Sequence, residues 1–186
     1  MMKERKIKEL MIPLSDYATV SEEDTLVTAI KTLKQAQNKT KQNYKHRAVL
    51  AYDKDGNITG KLSIRCVLKA LEPKYRQFEH TESNESIGLS RFGFNNNFLS
   101  SLLDNFSLWD ETLEELVKKA SKLKVKNIMY TPSNGEYVDE NAPIAEAVHQ
   151  FILGCHQSLL VLKKNKVIGI IKLADIFDLV CDILNE

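Results

Sequence analysis

The side chains that could do chemistry are few, and their spacing excludes most reactions. Cys155 and His156 are neighbours, with His149 one heptad earlier. A metal would need these groups to converge, and adjacent residues face different ways, so no metal site is read there. Cys66 and Cys181 stand in apolar helical runs and read as small core residues. His46 and Arg47 follow a basic stretch, residues 39–45. Such a run is a solvated face or the rim of a phosphate pocket. Asp175 stands where a helix begins, and the helix dipole favours a carboxylate there. The sequence shows no nucleophile–base pair, no glycine-rich phosphate loop and no metal cluster, so no enzyme is expected.

These residues sit in a chain that nearly repeats itself. Lys6-Ile-Lys-Glu-Leu-Met11 returns as Lys124-Val-Lys-Asn-Ile-Met129. The match continues without a gap: Val20 answers Val138, Glu22 answers Glu140, Leu26 answers Ile144, and Ala29-Ile30 answers Ala147-Val148. A repeat of this length means one structural unit used twice. Two copies pack about a pseudo-twofold axis and leave two related clefts, and small ligands bind in clefts of this kind.

Each copy must build the same elements. A short amphipathic turn leads to a brief extended piece, residues 17–20 or 136–138. A helix follows, with Leu26, Ala29, Ile30 and Leu33 on one face of the first copy, and Ile144, Ala147, Val148 and Phe151 on that of the second. Asp24 or Asn141 is expected to cap it, Pro143 fits its first turn, and Gly154 is expected to stop the second copy's helix. A hairpin comes next: residues 48–52 with 58–62, where Gly56 supplies a positive φ in the turn, and residues 159–162 with 167–171. A closing helix presents Ile64, Val67, Leu68 and Leu71, or Leu173, Ile176, Phe177, Val180 and Leu184. One unit is too small to bury all these faces, whereas two packed together can. The expected fold is α+β: two βαββα repeats about a pseudo-twofold axis, with a partly helical insertion between them. The first repeat is set at residues 1–71, the insertion at 72–123 and the second repeat at 124–186. The insertion is polar over residues 80–86. Later it carries Phe98, Leu99, Leu102, Leu103 and Phe106 at helical spacing, then Trp109, then Leu113, Leu116, Val117 and Ala120 on a further stripe.

Composition narrows the class. The chain has 186 residues, 43% of them hydrophobic, and a formal net charge of +1 with both signs mixed along its length. A nucleic-acid partner would need a basic face, so none is expected. No apolar run reaches about 18 residues, so no membrane span is expected. Charges within residues 7–10 argue against a signal peptide. Three cysteines at no ligand spacing read as reduced and cytoplasmic.

In this order the patterns resemble the cystathionine-β-synthase (CBS) domain pair, also called a Bateman module. The residues that carry the resemblance are Lys124-Val-Lys-Asn-Ile-Met129-Tyr-Thr-Pro at the head of a unit, the helix around Ala147, and Gly169-Ile-Ile-Lys-Leu-Ala-Asp175 at its end. It covers residues 6–37, 46–71 and 124–184, and leaves the insertion out. The resemblance implies a regulatory module with no required cofactor. It implies an adenosyl ligand (AMP, ADP, ATP or S-adenosylmethionine) in the clefts, a homodimer formed through the helices of both units, and a separate regulated protein.

The family pattern Gly-h-x-Ser/Thr-x-x-Asp sets a carboxylate on the ribose hydroxyls and a hydroxyl near the phosphate. Each copy here keeps half of it. The second has Asp175, with Lys172 where Ser or Thr is expected; the first has Ser63, with Cys66 where Asp is expected. By resemblance, Asp175 takes the ribose and Ile170 flanks the ligand. Lys172 contacts a phosphate as a point charge or is simply solvated. Asp16, Ala18, His46 and Arg47 form the other wall. Two cations, Lys172 and Arg47, favour a phosphate-bearing nucleotide over a sulfonium. The opposite cleft would use Ser63, Thr131 and Gln157. It lacks a ribose carboxylate and is expected to be empty or to take something else. The alternative is a ligand-free dimerisation module whose clefts are relics.

Overall fold

A computed structural model describes residues 5–39, 46–75, 107 and 110–185. The first repeat runs β1 (Ile12–Pro13), β2 (Thr19–Ser21), α1 (Leu26–Lys39), β3 (Ala48–Tyr52), β4 (Ile58–Ser63) and α2 (Ile64–Leu71). Helix α3 (Leu113–Ala120) precedes the second repeat, which runs β5 (Tyr137–Asp139), α4 (Ile144–Gly154), β6 (Ser158–Lys163), β7 (Lys166–Lys172) and α5 (Leu173–Asn185). The βαββα order thus appears twice, and the fold is α+β.

The two sheets copy each other. β2 lies parallel to β3, and β3 pairs antiparallel with β4. β5, β6 and β7 repeat this pattern. Both hairpins slip register at the same place, after Ala51 and after Val161. The β3 residues Val49, Leu50 and Ala51 are all fully buried, which alternation permits only if both faces of the strand are covered. Val49 and Ala51 join the first lobe's core with Leu26, Ala29, Leu33 and Leu62. Leu50 points the other way, into a cluster with Tyr17, Leu160 and Ile170 that both repeats build together.

The segments that lead into the repeats are exchanged. Ile7 donates its N–H to the Ala142 carbonyl at 3.0 Å, Lys8 to Glu140 at 3.0 Å, and Ile144 to Arg5 at 3.1 Å. Ile7 itself is fully buried in the second lobe's core. β1 then adds to the second sheet, with Ile12 opposite Ile170. The second lead-in does the same to the first lobe. Val125 donates to Asp24 at 2.9 Å, Lys126 to Glu22 at 2.9 Å, and Leu26 to Leu123 at 2.8 Å. Val125 is buried in the first core, and Tyr130 bridges Lys61. Around this contact, Glu23 ion-pairs with Lys124 at 2.6 Å and Lys126 at 2.7 Å. Bonds from these two lysines hold the Glu23 carboxyl down at about 2.

Several local expectations are corrected. Asp24 turns its carboxylate back to the Ser21 N–H, and the Thr25 hydroxyl takes the Thr28 N–H of α1 instead. Asn141 accepts from the Lys8 ammonium, and Pro143 itself stands at the start of α4. Gly154 is the last residue of α4, while Cys155 beyond it adopts the left-handed conformation at φ 52°. Gly154 is small for a different reason: a Cβ there would meet the His156 ring at 2.0 Å. Ile30 is exposed, and so are Leu113 and Val117, leaving Leu116 and Ala120 to anchor α3 on the first core. The Phe98–Phe106 stripe and Trp109 lie outside the described residues.

Two glycines receive the exchanged segments. A Cβ on Gly169 would stand 2.6 Å from the Ile12 carbonyl oxygen. A Cβ on Gly60 would stand 2.4 Å from Met129 Sδ and 3.0 Å from the Tyr130 carbonyl. A methionine can move aside more cheaply than backbone. Gly169→Ala is therefore expected to destabilise by about 1–3 kcal/mol in urea unfolding, and Gly60→Ala by less. Equal losses would show that the backbone contact is not the tighter constraint.

Candidate functional site

The first cleft is built from the head of α5 and the segment before β2. Lys172 ends β7 and immediately precedes α5, so its N–H has no partner within the helix. Asp175, three residues on, accepts that N–H at 2.9 Å. Its other oxygen pairs with the Lys172 ammonium at 3.1 Å. Lys172, for which solvation was one reading, is mostly buried.

Across the repeat boundary stand Tyr17 and His46, packed edge to face with centroids 4.6 Å apart. Both are buried. Burial first, and then the negative charge of Asp175, push the Tyr17 phenol well above its ordinary value. Burial and the Lys172 charge hold the His46 imidazole below its usual value, against the pull of Asp175. His46 is therefore neutral at pH 7. Its Nδ1 is buried with no hydrogen-bond partner, a condition that asks for an explanation in a folded protein.

The structure thus brings Asp175, Lys172 and His46 into electrostatic contact around Tyr17, with Ile170 fully buried in the same inter-repeat cluster. Ala18 is partly buried and accepts the Leu50 N–H at 3.0 Å. Asp16 and Arg47 are exposed. Asp16 accepts from the Ser15 hydroxyl, and the Arg47 carbonyl takes the Ile64 N–H. Sequence reasoning missed Tyr17, because its counterpart in the second copy is a glycine, Gly135, and the repeat pattern gave no reason to mark it.

The second cleft is furnished differently. Ser63 caps α2 by accepting the Cys66 N–H at 3.2 Å. Thr131 and Gln157 are exposed, and the Gln157 carbonyl takes the Leu173 N–H. Between the repeats, Lys61 and Glu136 are ion-paired at 2.5 Å with side chains 12% and 3% exposed. Glu136 also accepts from the Tyr130 hydroxyl at 2.5 Å and the Ser133 N–H at 3.1 Å. The Lys61 ammonium lies 5.7 Å from the Tyr130 ring centroid. The pair joins β4 of one repeat to the lead-in of the other. Sequence reading passed over it because the two residues are far apart in the chain.

Burial alone would raise the Glu136 carboxyl, but bonds from Lys61 and Tyr130 outweigh it and hold the group below its ordinary value. Folding then favours the carboxylate. Its contribution is fully present above the unfolded value, near ~4.3, and is lost as pH falls through the lower folded value. The urea midpoint should fall on acidification below about pH 4.5. Glu136→Gln should flatten that part of the profile, and an unchanged slope in the variant would remove Glu136 as its source.

Among the described residues no group of His, Cys, Asp or Glu is arranged to hold a metal, and no helix is long and apolar enough to cross a membrane. The CBS domain model matches residues 7–73 and 125–182. No curated protein matches the chain. Solved structures share the fold at low identity. The CBS domain of a CBS domain containing membrane protein from Sphaerobacter thermophilus superposes with a TM-score of 0.61 at 19% identity, covering 96% of this chain and 89% of that one. A CBS domain-containing protein of unknown function from Bacillus anthracis gives 0.62 at 15% identity, covering 96% and 94%. CBSX2, solved in complex with AMP, gives 0.58 at 14%, covering 96% and 98%. With both repeats matched and the paired-repeat architecture in place, this chain belongs to the CBS domain family.

Proposed function

We propose that this protein is a regulatory module that binds an adenosine nucleotide in the first cleft and reports its presence to a separate protein. The observation that carries this reading is the convergence, across the repeat boundary, of Asp175, Lys172 and a buried His46 whose Nδ1 lacks a partner. A carboxylate has about four lone-pair positions, so Asp175 can accept from ribose hydroxyls beyond its bond to the Lys172 N–H. Lys172, released from Asp175, and Arg47 at the rim supply positive charge for a phosphate, which favours AMP, ADP or ATP over S-adenosylmethionine. The CBSX2 structure with AMP supports the ligand class. The groups present suit binding rather than catalysis. Three cysteines outside any disulfide and a nucleotide ligand fit the cytoplasm.

A second reading has its own support. Asp175 and Lys172 already satisfy one another, as they would in a module that only dimerises. Calorimetric titration separates the two. AMP and ATP should bind, S-adenosylmethionine should bind more weakly, and Asp175→Ala should lose about 1–3 kcal/mol of affinity. Preference for the sulfonium ligand, or no binding at millimolar concentration, would favour the second reading.

The closing helices argue for a dimer under either reading. On α2, Ile64 and Leu68 are 43% and 55% exposed; on α5, Phe177, Val180 and Leu184 are 57%, 46% and 79% exposed. Apolar faces of this kind mark association surfaces. Light scattering at tens of micromolar should give twice the chain mass of 21.2 kDa. A monomer that persists at that concentration would rule the homodimer out.

A further inference from the structure

The two clefts occupy equivalent registers, so their side chains can be compared place by place. Ile12 faces Ile170 across the bridge between the first lead-in and β7, and Tyr130 faces Lys61 across the matching bridge to β4. Lys61 therefore stands where Ile170 stands. The repeat that aligns Val20 with Val138 sets Glu136 where Ala18 stands, and the helix heads set Cys66 where Asp175 stands. Two residues that wall the first cleft, one branched and apolar, one small, are replaced by a long cation and a long anion bonded to each other.

We propose that Lys61 and Glu136 are a built-in occupant of the second cleft, so that each chain has one nucleotide site. The inference rests on the nucleotide-binding reading above. The side chains fill the cleft and meet each other's needs: every Glu136 oxygen has a donor, and the Lys61 ammonium has the Glu136 carboxylate, with the Ser158 carbonyl at 3.5 Å. A cavity of about 280 Å³ near Tyr130 is lined by Cys66, Lys69, Asn127 and Met129 among others, and neither Lys61 nor Glu136 lines it. A thiol, Cys66, stands at the position that Asp175 holds in the first cleft. The two pairs also differ in kind. Lys172 and Asp175 are three residues apart on one helix head, so a ligand can part them without separating the repeats. Lys61 and Glu136 tie one repeat to the other, so the second cleft cannot open unless that tie breaks.

Titration of the full chain with AMP should give one equivalent per chain. Lys61→Ile/Cys66→Asp/Glu136→Ala, which copies the first cleft's residues into the second at these three places, should give two. Two equivalents in the unaltered protein, or one in a folded triple variant, would overturn the proposal. A urea series tests the occupant without any nucleotide. Lys61→Met and Glu136→Gln should each lower the unfolding midpoint, and the double variant should recover most of the loss, because neither charge is then left buried alone. Losses that simply add would overturn the proposal. If AMP binds to no variant, the nucleotide reading fails, and the urea series still decides whether the pair fills the cleft.

Discussion

The exchange of the two lead-in segments is the constraint on which the rest of this structure depends. Neither lobe is closed by its own chain segment. Ile7 completes the second core and Val125 the first, each tied down by backbone bonds that recur in equivalent positions. Backbone pairing is indifferent to side chains, yet the segments must arrive in register, and the apolar anchors at Ile7 and Val125 fix that register. The clefts follow directly, since each cleft is the space between a crossing lead-in and the strand–helix junction it lies beside.

That geometry explains how two nearly identical units acquire different roles. The backbone frame is symmetric, down to the slipped register in both hairpins and the glycines under both lead-ins. The side chains that project into the frame are not. On one side a local acid–base pair caps a helix and faces a tyrosine and an uncharged histidine. On the other a buried ion pair spans the repeats. Buried pairs rarely add stability over apolar packing, and their best attested use is to specify one arrangement over another. On the proposal made above, the arrangement that this pair specifies is a closed second cleft.

Much of the fold was legible in the sequence because period and repetition reinforce each other. The βαββα order followed from apolar spacing, and each copy checked the other. Of the proposed site, Asp175 and Lys172, which the structure pairs with each other, were read from the pattern at the head of the last helix. Tyr17 was not, since its importance comes from burial beside charges that the sequence places elsewhere. Lys61 and Glu136 were missed because a charged residue within a strand or turn reads as solvated until a partner from a distant segment is seen. The capping expectations failed for a related reason. Asp24 and Asn141 had competing partners nearby, in the Ser21 N–H and the Lys8 ammonium, and composition alone does not rank such partners.

The crossed lead-ins also govern how the chain can be made. As synthesis proceeds, the first repeat emerges with its own lead-in but without the segment that closes its core. Its strands can pair, yet the space that Val125 fills stays open until residues beyond the insertion have left the ribosome. The residues around Ile7 wait longer still, since their acceptors, Glu140 and Ala142, follow Val125 in the chain. Contacts so distant in sequence slow the final closure and prolong the exposure of apolar surface. A nascent first repeat thus keeps its apolar core open until Val125 arrives, the condition under which incompletely folded chains misassemble.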